Sequence, residues 1–210
     1  LKGGHVILLN GKESEYYEAT RNQALKALAA YPGGLQIGGG VCPDNAEDYL
    51  KAGASHVIVT SYVFKDGQLS WKNLKKIEEI AGKEHLVLDL SCRKKDDQYF
   101  IVTDRWQKFT NVPMTLEVME ELGNHCDEFL VHAVDVEGKA NGIETELADL
   151  LSDYTQRPVT YAGGVGSMED LKLLKKHGKD RLDVTVGSAL DLFGGTIPFE
   201  ILKDLDDLHL

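Results

Sequence analysis

"LQIGGGVCPDNAEDYLKAGASHVIVTS", residues 35–61, sets an apolar run before three glycines and closes on a second apolar run ending in Thr-Ser. Residues 159–188, "VTYAGGVGSMEDLKLLKKHGKDRLDVTVGS", follow nearly the same plan. Aligning Gly39-Gly40-Val41 with Gly163-Gly164-Val165 pairs Thr60-Ser61 with Gly187-Ser188, the second copy being three residues longer between these anchors. Each copy reads as strand, glycine turn, amphipathic helix, strand, small hydroxyl residue. Where strands run parallel, their C-terminal ends open on one face, and sites are built there. Glycines let backbone N–H groups approach a ligand, a helix N-terminus adds partial positive charge, and a hydroxyl adds a donor. The two copies therefore predict two phosphate cradles, Gly39, Gly40, Thr60 and Ser61 in one and Gly163, Gly164, Gly187 and Ser188 in the other. A tight turn with close packing is the alternative for either glycine run alone. The repetition favours a ligand carrying two phosphates.

The same alternation extends along the whole chain. Short, β-branched, almost continuously apolar runs at His5–Leu9, Leu35–Ile37, His56–Thr60, Leu86–Leu90, Phe129–Ala133, Val159–Ala162 and Asp183–Val186 suit strands covered on both faces. Between them "SEYYEATRNQALKALAAY" has helical apolar spacing, and "NAEDYLKAGA" and "SMEDLKLLKKHG" begin with a capping residue and end at or near Gly. Strands alternating with helices imply parallel βαβ units. The expected fold is α/β, a (βα)8 TIM barrel of duplicated half-barrels forming one domain over residues 1–210. Seven strands are visible where closure needs eight, so a first βα unit is expected upstream of Leu1. Residues 94–108 interrupt the pattern: "KKDDQYFIVTDRW" predicts a charged loop and a short hairpin inserted after a strand. The closing "KDLDDLHL" predicts a terminal helix.

Composition bounds the partners. With 23 basic against 34 acidic residues the net charge is −11, which argues against a broad nucleic-acid or anionic-membrane surface. A small anion held by backbone amides remains compatible with it. No apolar run approaches the ~20 residues of a membrane span. Cys42, Cys92 and Cys126 are scattered without a CxxC pair, which predicts reduced thiols and neither a disulfide frame nor a zinc site. An intracellular soluble protein is expected, in cytoplasm or plastid, acting as a monomer on a small bis-phosphate.

In order along the chain, "LQIGGGV", "HVIVTS", "HLVLDLSCRK", "VTDRWQ", "FLVHAVDVEG", "VTYAGGV" and "DVTVGSALDLFGG" resemble the eukaryotic form of the histidine-biosynthesis phosphoribosyl isomerases. The resemblance spans Gly4 to about Gly195, and "DLSCRKK", "HAVDVEG" and "SALDLFGG" are its most specific parts. It implies a (βα)8 barrel of duplicated halves, no cofactor and no metal. It also implies an Amadori rearrangement of phosphoribosylformimino-aminoimidazole-carboxamide ribotide, an aminoaldose, to the aminoketose. An acid protonates the ribose ring oxygen, and a base removes the C2 proton, work suited to two carboxylates with separated pKa values.

The resemblance places one catalytic Asp on the family's first strand, which has no counterpart here, and the other on its fifth, where Asp89 stands in "VLDLSCR". Bacterial relatives carry the carboxylate at the position of Ser91, two residues on and on the same strand face. Asp89, inside an apolar strand, is expected to have a raised pKa and to be the acid; a core ion pair is the alternative. Asp135 is a second acid–base or binding candidate, or a loop cap. His132 is expected to hydrogen-bond the substrate, Trp106 to stack on its imidazole carboxamide, and Arg93 to orient a carboxylate or substrate. Trp71, Tyr16, Tyr17 and Tyr62 are expected to pack in the core, and Cys92, without a base beside it, is not read as a nucleophile. The rival readings are the related imidazole-glycerol-phosphate cyclase and a non-catalytic phosphate-binding barrel.

Overall fold

The computed structural model describes residues 3–138 and 142–203. Its frame is a sheet of seven strands: β1 (Gly4–Ile7), β2 (Leu35–Gly38), β3 (His56–Val59), β4 (Leu86–Asp89), β5 (Glu128–His132), β6 (Val159–Ala162) and β7 (Leu182–Thr185). They lie side by side in chain order, and every adjacent pair is parallel. The seven expected strands are all present, with ends shifted by no more than two residues. Among the described residues seven α-helices accompany them: α1 (Tyr17–Ala30), α2 (Ala46–Lys51), α3 (Trp71–Ala81), α4 (Leu116–Leu122), α5 (Thr145–Ser152), α6 (Met168–His177) and α7 (Phe199–Leu202). α3 shows the local logic. Ser70 caps it by accepting the Asn73 N–H, Leu74, Ile77 and Ala81 bury one face, and Gly82 ends it at φ +80°.

The strands bury both faces, and alternation assigns each residue to one. Val57, Val59, Leu86, Leu88, Phe129 and Val131 join the helices in the main core, while Ile58, Val87, Leu130 and Ala162 form a separate cluster on the other face. That other face is concave. Gln36 on β2 donates to Glu128 on β5 at 2.6 Å, although in a flat sheet strands three places apart would stand roughly 14 Å apart. The curl brings β1 and β7 to the two sides of one cavity of about 690 Å³, lined by His5 and Ile7 from one edge and Val184 and Thr185 from the other. Among the described residues nothing pairs with the outer edge of either strand.

The insertion after β4 is larger than expected. It is a three-stranded antiparallel sheet, Cys92–Lys95, Gln98–Thr103 and Lys108–Pro113, where the sequence predicts one hairpin within 94–108. Asp96 and Asp97 make the first turn at φ +50° and +61°, a pair of left-handed residues that matches strand twist. The helix expected over residues 203–210 lies, beyond Lys203, outside the described residues; α7 ends just before it. Tyr16 corrects an expectation, being 61% exposed and not in the core, because it precedes α1 on the solvent side.

Candidate active site

Asp89 ends β4 with its carboxylate on the concave face, and Ser91, two residues on, lies on the same side. Asp89 Oδ1 accepts the Ser91 backbone N–H at 2.8 Å and the Ser91 hydroxyl at 2.6 Å, while Oδ2 accepts the Thr60 hydroxyl at 3.1 Å. From the end of β5, His132 brings Nδ1 to 3.3 Å from Ser91 Oγ and 3.7 Å from Asp89 Oδ1. Trp106 completes the cluster from the tip of the insertion. Its Nε1–H donates to Ser91 Oγ at 3.2 Å, and its ring lies 5.7 Å from the His132 ring. Reaching that position takes three successive left-handed residues, Asp104, Arg105 and Trp106, at φ +53°, +55° and +67°. None is glycine, so the turn stores strain of the kind found where side chains are aimed at a site.

The electrostatics reverse one expectation. Burial pushes the Asp89 carboxyl upward, but His132 and the two donors of Ser91 outweigh it and hold the pKa below its ordinary 3.8. Burial likewise pushes His132 downward, and Asp89 with Glu137 outweighs that, leaving the imidazole above its ordinary 6.5. Both shifts favour the ion pair, a carboxylate on Asp89 beside an imidazolium on His132. Apolar neighbours along β4 suggested a raised value; the donors that lower it come mainly from beyond that strand. The Cys92 thiol is buried and pushed up by that burial and by nearby carboxylates, in keeping with an inert thiol.

Arg93 and Asp135 meet each other. Arg93 Nε donates to Asp135 Oδ1 at 2.9 Å, and the Lys94 backbone N–H donates to Oδ2 at 3.0 Å. Asp135 thus fastens the root of the insertion to the loop after β5, with Arg93 resting over Phe109.

The two glycine turns leave the same rim, since both follow C-terminal ends of parallel strands. Gly39 and Gly40 have φ +96° and +71°, and Gly163 and Gly164 have +106° and +77°. Leu8 N–H donates to Gly38 O at 2.9 Å, and Ala133 N–H donates to Ala162 O at 2.8 Å, the same bond in each copy. Two details differ from the expected cradles. The Thr60 hydroxyl proton is spent on Asp89. At the helix entries the Cys42 N–H is taken by Asn45 and the Gly166 N–H by Asp170, so these amides serve their own loops. Gly163, Gly164, Gly187 and Ser188 line the 690 Å³ cavity together with His132, Glu137 and His5. Gly39, Gly40, Thr60 and Ser61 lie outside that lining.

Glu137 is the residue that sequence reasoning passed over, and Ser91 was noted there only as a position on the strand face of Asp89, without a role of its own. Ser91 carried one legible signal, its two-residue spacing from Asp89; Glu137 carried none, since its place depends on how the loop after β5 folds back.

A family model described as "Histidine biosynthesis protein" matches residues 4–197. The chain belongs to that family. A relative from Medicago truncatula, 56% identical over 95% of this chain, is named a chloroplastic 1-(5-phosphoribosyl)-5-((5-phosphoribosylamino)methylideneamino) imidazole-4-carboxamide isomerase. Relatives from Yarrowia lipolytica, 47% identical over 92% of the chain, and Neurospora crassa, 42% identical over 93%, bear the same isomerase name. The chain spans 62% of the Medicago protein's length and 74% of each of the other two. Family membership agrees with the resemblance carried by the sequence motifs, and the isomerase name, not the cyclase, is the one these three relatives bear. Among the described residues no helix is long and apolar enough to cross a membrane.

Proposed function

We propose that this chain forms most of a cofactor-independent aldose–ketose isomerase that carries out an Amadori rearrangement on a bis-phosphorylated aminoimidazole carboxamide ribotide. One observation carries the reading: the Asp89–Ser91–His132 cluster, covered by Trp106, stands at the rim from which two matched glycine turns emerge. The names of the relatives point the same way. In this reading each turn receives one phosphate of an elongated ligand, through Gly39, Gly40 and Ser61 at one end and Gly163, Gly164, Gly187 and Ser188 at the other. The indole of Trp106 covers the heteroaromatic ring between them.

Opening the ribose ring needs a proton on the ring oxygen, and forming the enolamine needs the C2 proton removed. The pair holds one proton on His132 and one negative charge on Asp89, so an acid and a base face the same space. Asp135 and Arg93 hold the root of the insertion and enter as binding-loop residues. The duplicated (βα)8 barrel also belongs to this proposal. The repeated turn geometry supports two halves, and the space between β1 and β7 suits one further strand. The acidic balance disfavours nucleic acid or an anionic membrane as partner and leaves room for a small anion held by backbone amides, a monomer is the expected state, and the chloroplastic relative favours a plastid over the cytoplasm.

The test is conversion of the aminoaldose to the aminoketose by the full-length protein, followed together with equilibrium binding. Turnover that Asp89→Asn abolishes while binding persists supports the reading. Tight binding with no turnover by the unmutated protein would instead favour the non-catalytic barrel.

A further inference from the structure

The Ser91 hydroxyl sits at the centre of the cluster, fully buried, and its bonding capacity restricts how the cluster can work. A hydroxyl has one proton to give and two lone pairs to receive with. Its proton goes to Asp89 Oδ1 at 2.6 Å, and one lone pair takes the indole N–H of Trp106 at 3.2 Å. His132 Nδ1, 3.3 Å away, meets the other. Directly, His132 Nδ1 and Asp89 Oδ1 are 3.7 Å apart, too far for a hydrogen bond. The short path between them runs through Ser91.

We propose that Ser91 Oγ is the bridge by which a proton passes between His132 and Asp89, and that Trp106 holds this oxygen in register. The step balances within the three side chains. The Nδ1–H bond breaks as an O–H bond forms on Ser91, and the original Ser91 proton leaves for Asp89 Oδ1. Imidazolium and carboxylate become imidazole and carboxylic acid, the hydroxyl is restored, and the total charge of the three side chains stays at zero. The resting form offers Asp89 as base and His132 as acid; the exchanged form offers the reverse. A reaction that adds one proton to its substrate and removes another can draw on either form. The bridge's place in a reaction rests on the isomerase reading, whereas the bridge itself is a property of the resting protein. Ser91 is thus a positioning residue, acting through its two neighbours.

The charged and titratable groups facing His132 are Asp89 from β4, Glu137 from the loop after β5 and His5 from β1. The carboxylates favour the imidazolium, and His5 opposes it. Because an imidazolium quenches a nearby indole more than an imidazole does, Trp106 emission reports His132. Trp71 lies 5.6 Å from His125 and would confuse the signal, so the titration is run on full-length protein carrying Trp71→Phe.

With Ser91 present, emission should rise with pH at a midpoint above 6.5, the ordinary imidazole value. Ser91→Ala should lower that midpoint by about one pH unit and cut kcat about tenfold or more with KM nearly unchanged. Ser91→Thr, which keeps the hydroxyl, should restore both. An unmoved midpoint in Ser91→Ala, or a Thr variant that behaves like Ala, overturns the bridge. If the midpoint moves as described but the unmutated protein converts no aminoaldose, the bridge stands and the isomerase reading is the part that fails.

Discussion

The turn at Gly39-Gly40 and the turn at Gly163-Gly164 share one backbone path and differ in what surrounds it. In both, a Cβ on the first glycine would collide with the end of the preceding strand, 2.1 Å from Leu8 O in one copy and 2.9 Å from Ala133 O in the other. The second glycines part company. A Cβ on Gly40 would meet nothing within 4 Å, whereas one on Gly164 would stand 2.2 Å from Gly142 O. The strands that follow diverge further. β3 leads to Thr60, whose hydroxyl supports Asp89, and β7 leads to Gly187 and Ser188, which face the cavity. Repetition supplied the same hairpin of strand and helix twice. The neighbours then set the Thr60 hydroxyl of one copy on Asp89 and turned Gly187 and Ser188 of the other to the cavity.

The largest expected effect tests that division. Asp89→Asn in the full-length protein should lower kcat by about 10²–10⁴-fold with ligand affinity nearly intact, read by steady-state kinetics beside calorimetric binding. A normal rate would remove Asp89, and with it the chemical role of the first copy. The glycines come next. Alanine at Gly39 or Gly164 combines left-handed φ with a backbone clash and should cost about 3 kcal/mol or more in urea unfolding. Alanine at Gly40 faces strain alone and should cost about 1–2 kcal/mol. Equal losses at Gly40 and Gly164 would erase the difference between the copies.

Ser188→Asp should raise KM about tenfold through repulsion of a phosphate, with little change in kcat, while Thr60→Ala should do the converse by removing a donor from a charged acceptor. An unchanged KM for Ser188→Asp would take that residue out of the cradle.

The smallest effect is on stability against pH. Asp89 has its folded pKa below 3.8, so its contribution is present above that value and is lost as pH falls through the folded one. His132 has its folded pKa above 6.5, so its contribution is complete below 6.5 and is lost as pH rises through the folded one. Melting temperature should therefore fall away on both sides of a plateau, and Asp89→Asn should flatten both slopes.

The strands were legible because both of their faces are buried. A run such as "LVLD" needs only its own residues to declare a covered strand, and the observed Leu86–Asp89 follows it. The glycine turns were legible for a similar reason: a left-handed path selects glycine locally. The insertion was only half legible. Its two turns are built from Asp96-Asp97 and Asp104-Arg105-Trp106 without a glycine, so the usual punctuation was missing. The Asp89 pKa was misjudged because its apolar strand neighbours are visible in sequence, while His132, 43 positions away along the chain, is not recognisable as its partner.

Residue order alone determined the alternation of strands and helices, the repeated turn and the family, since each depends on spacing within a few dozen residues. Only the folded chain decided that the sheet curls, that Trp106 bends back onto Ser91, and that Asp89 and His132 shift each other toward the ion pair. Those outcomes depend on atoms from β3, β4, β5 and the insertion arriving within about 4 Å of one another, and charge and hydrogen bonding at that range are set by who arrives, not by who is adjacent in sequence.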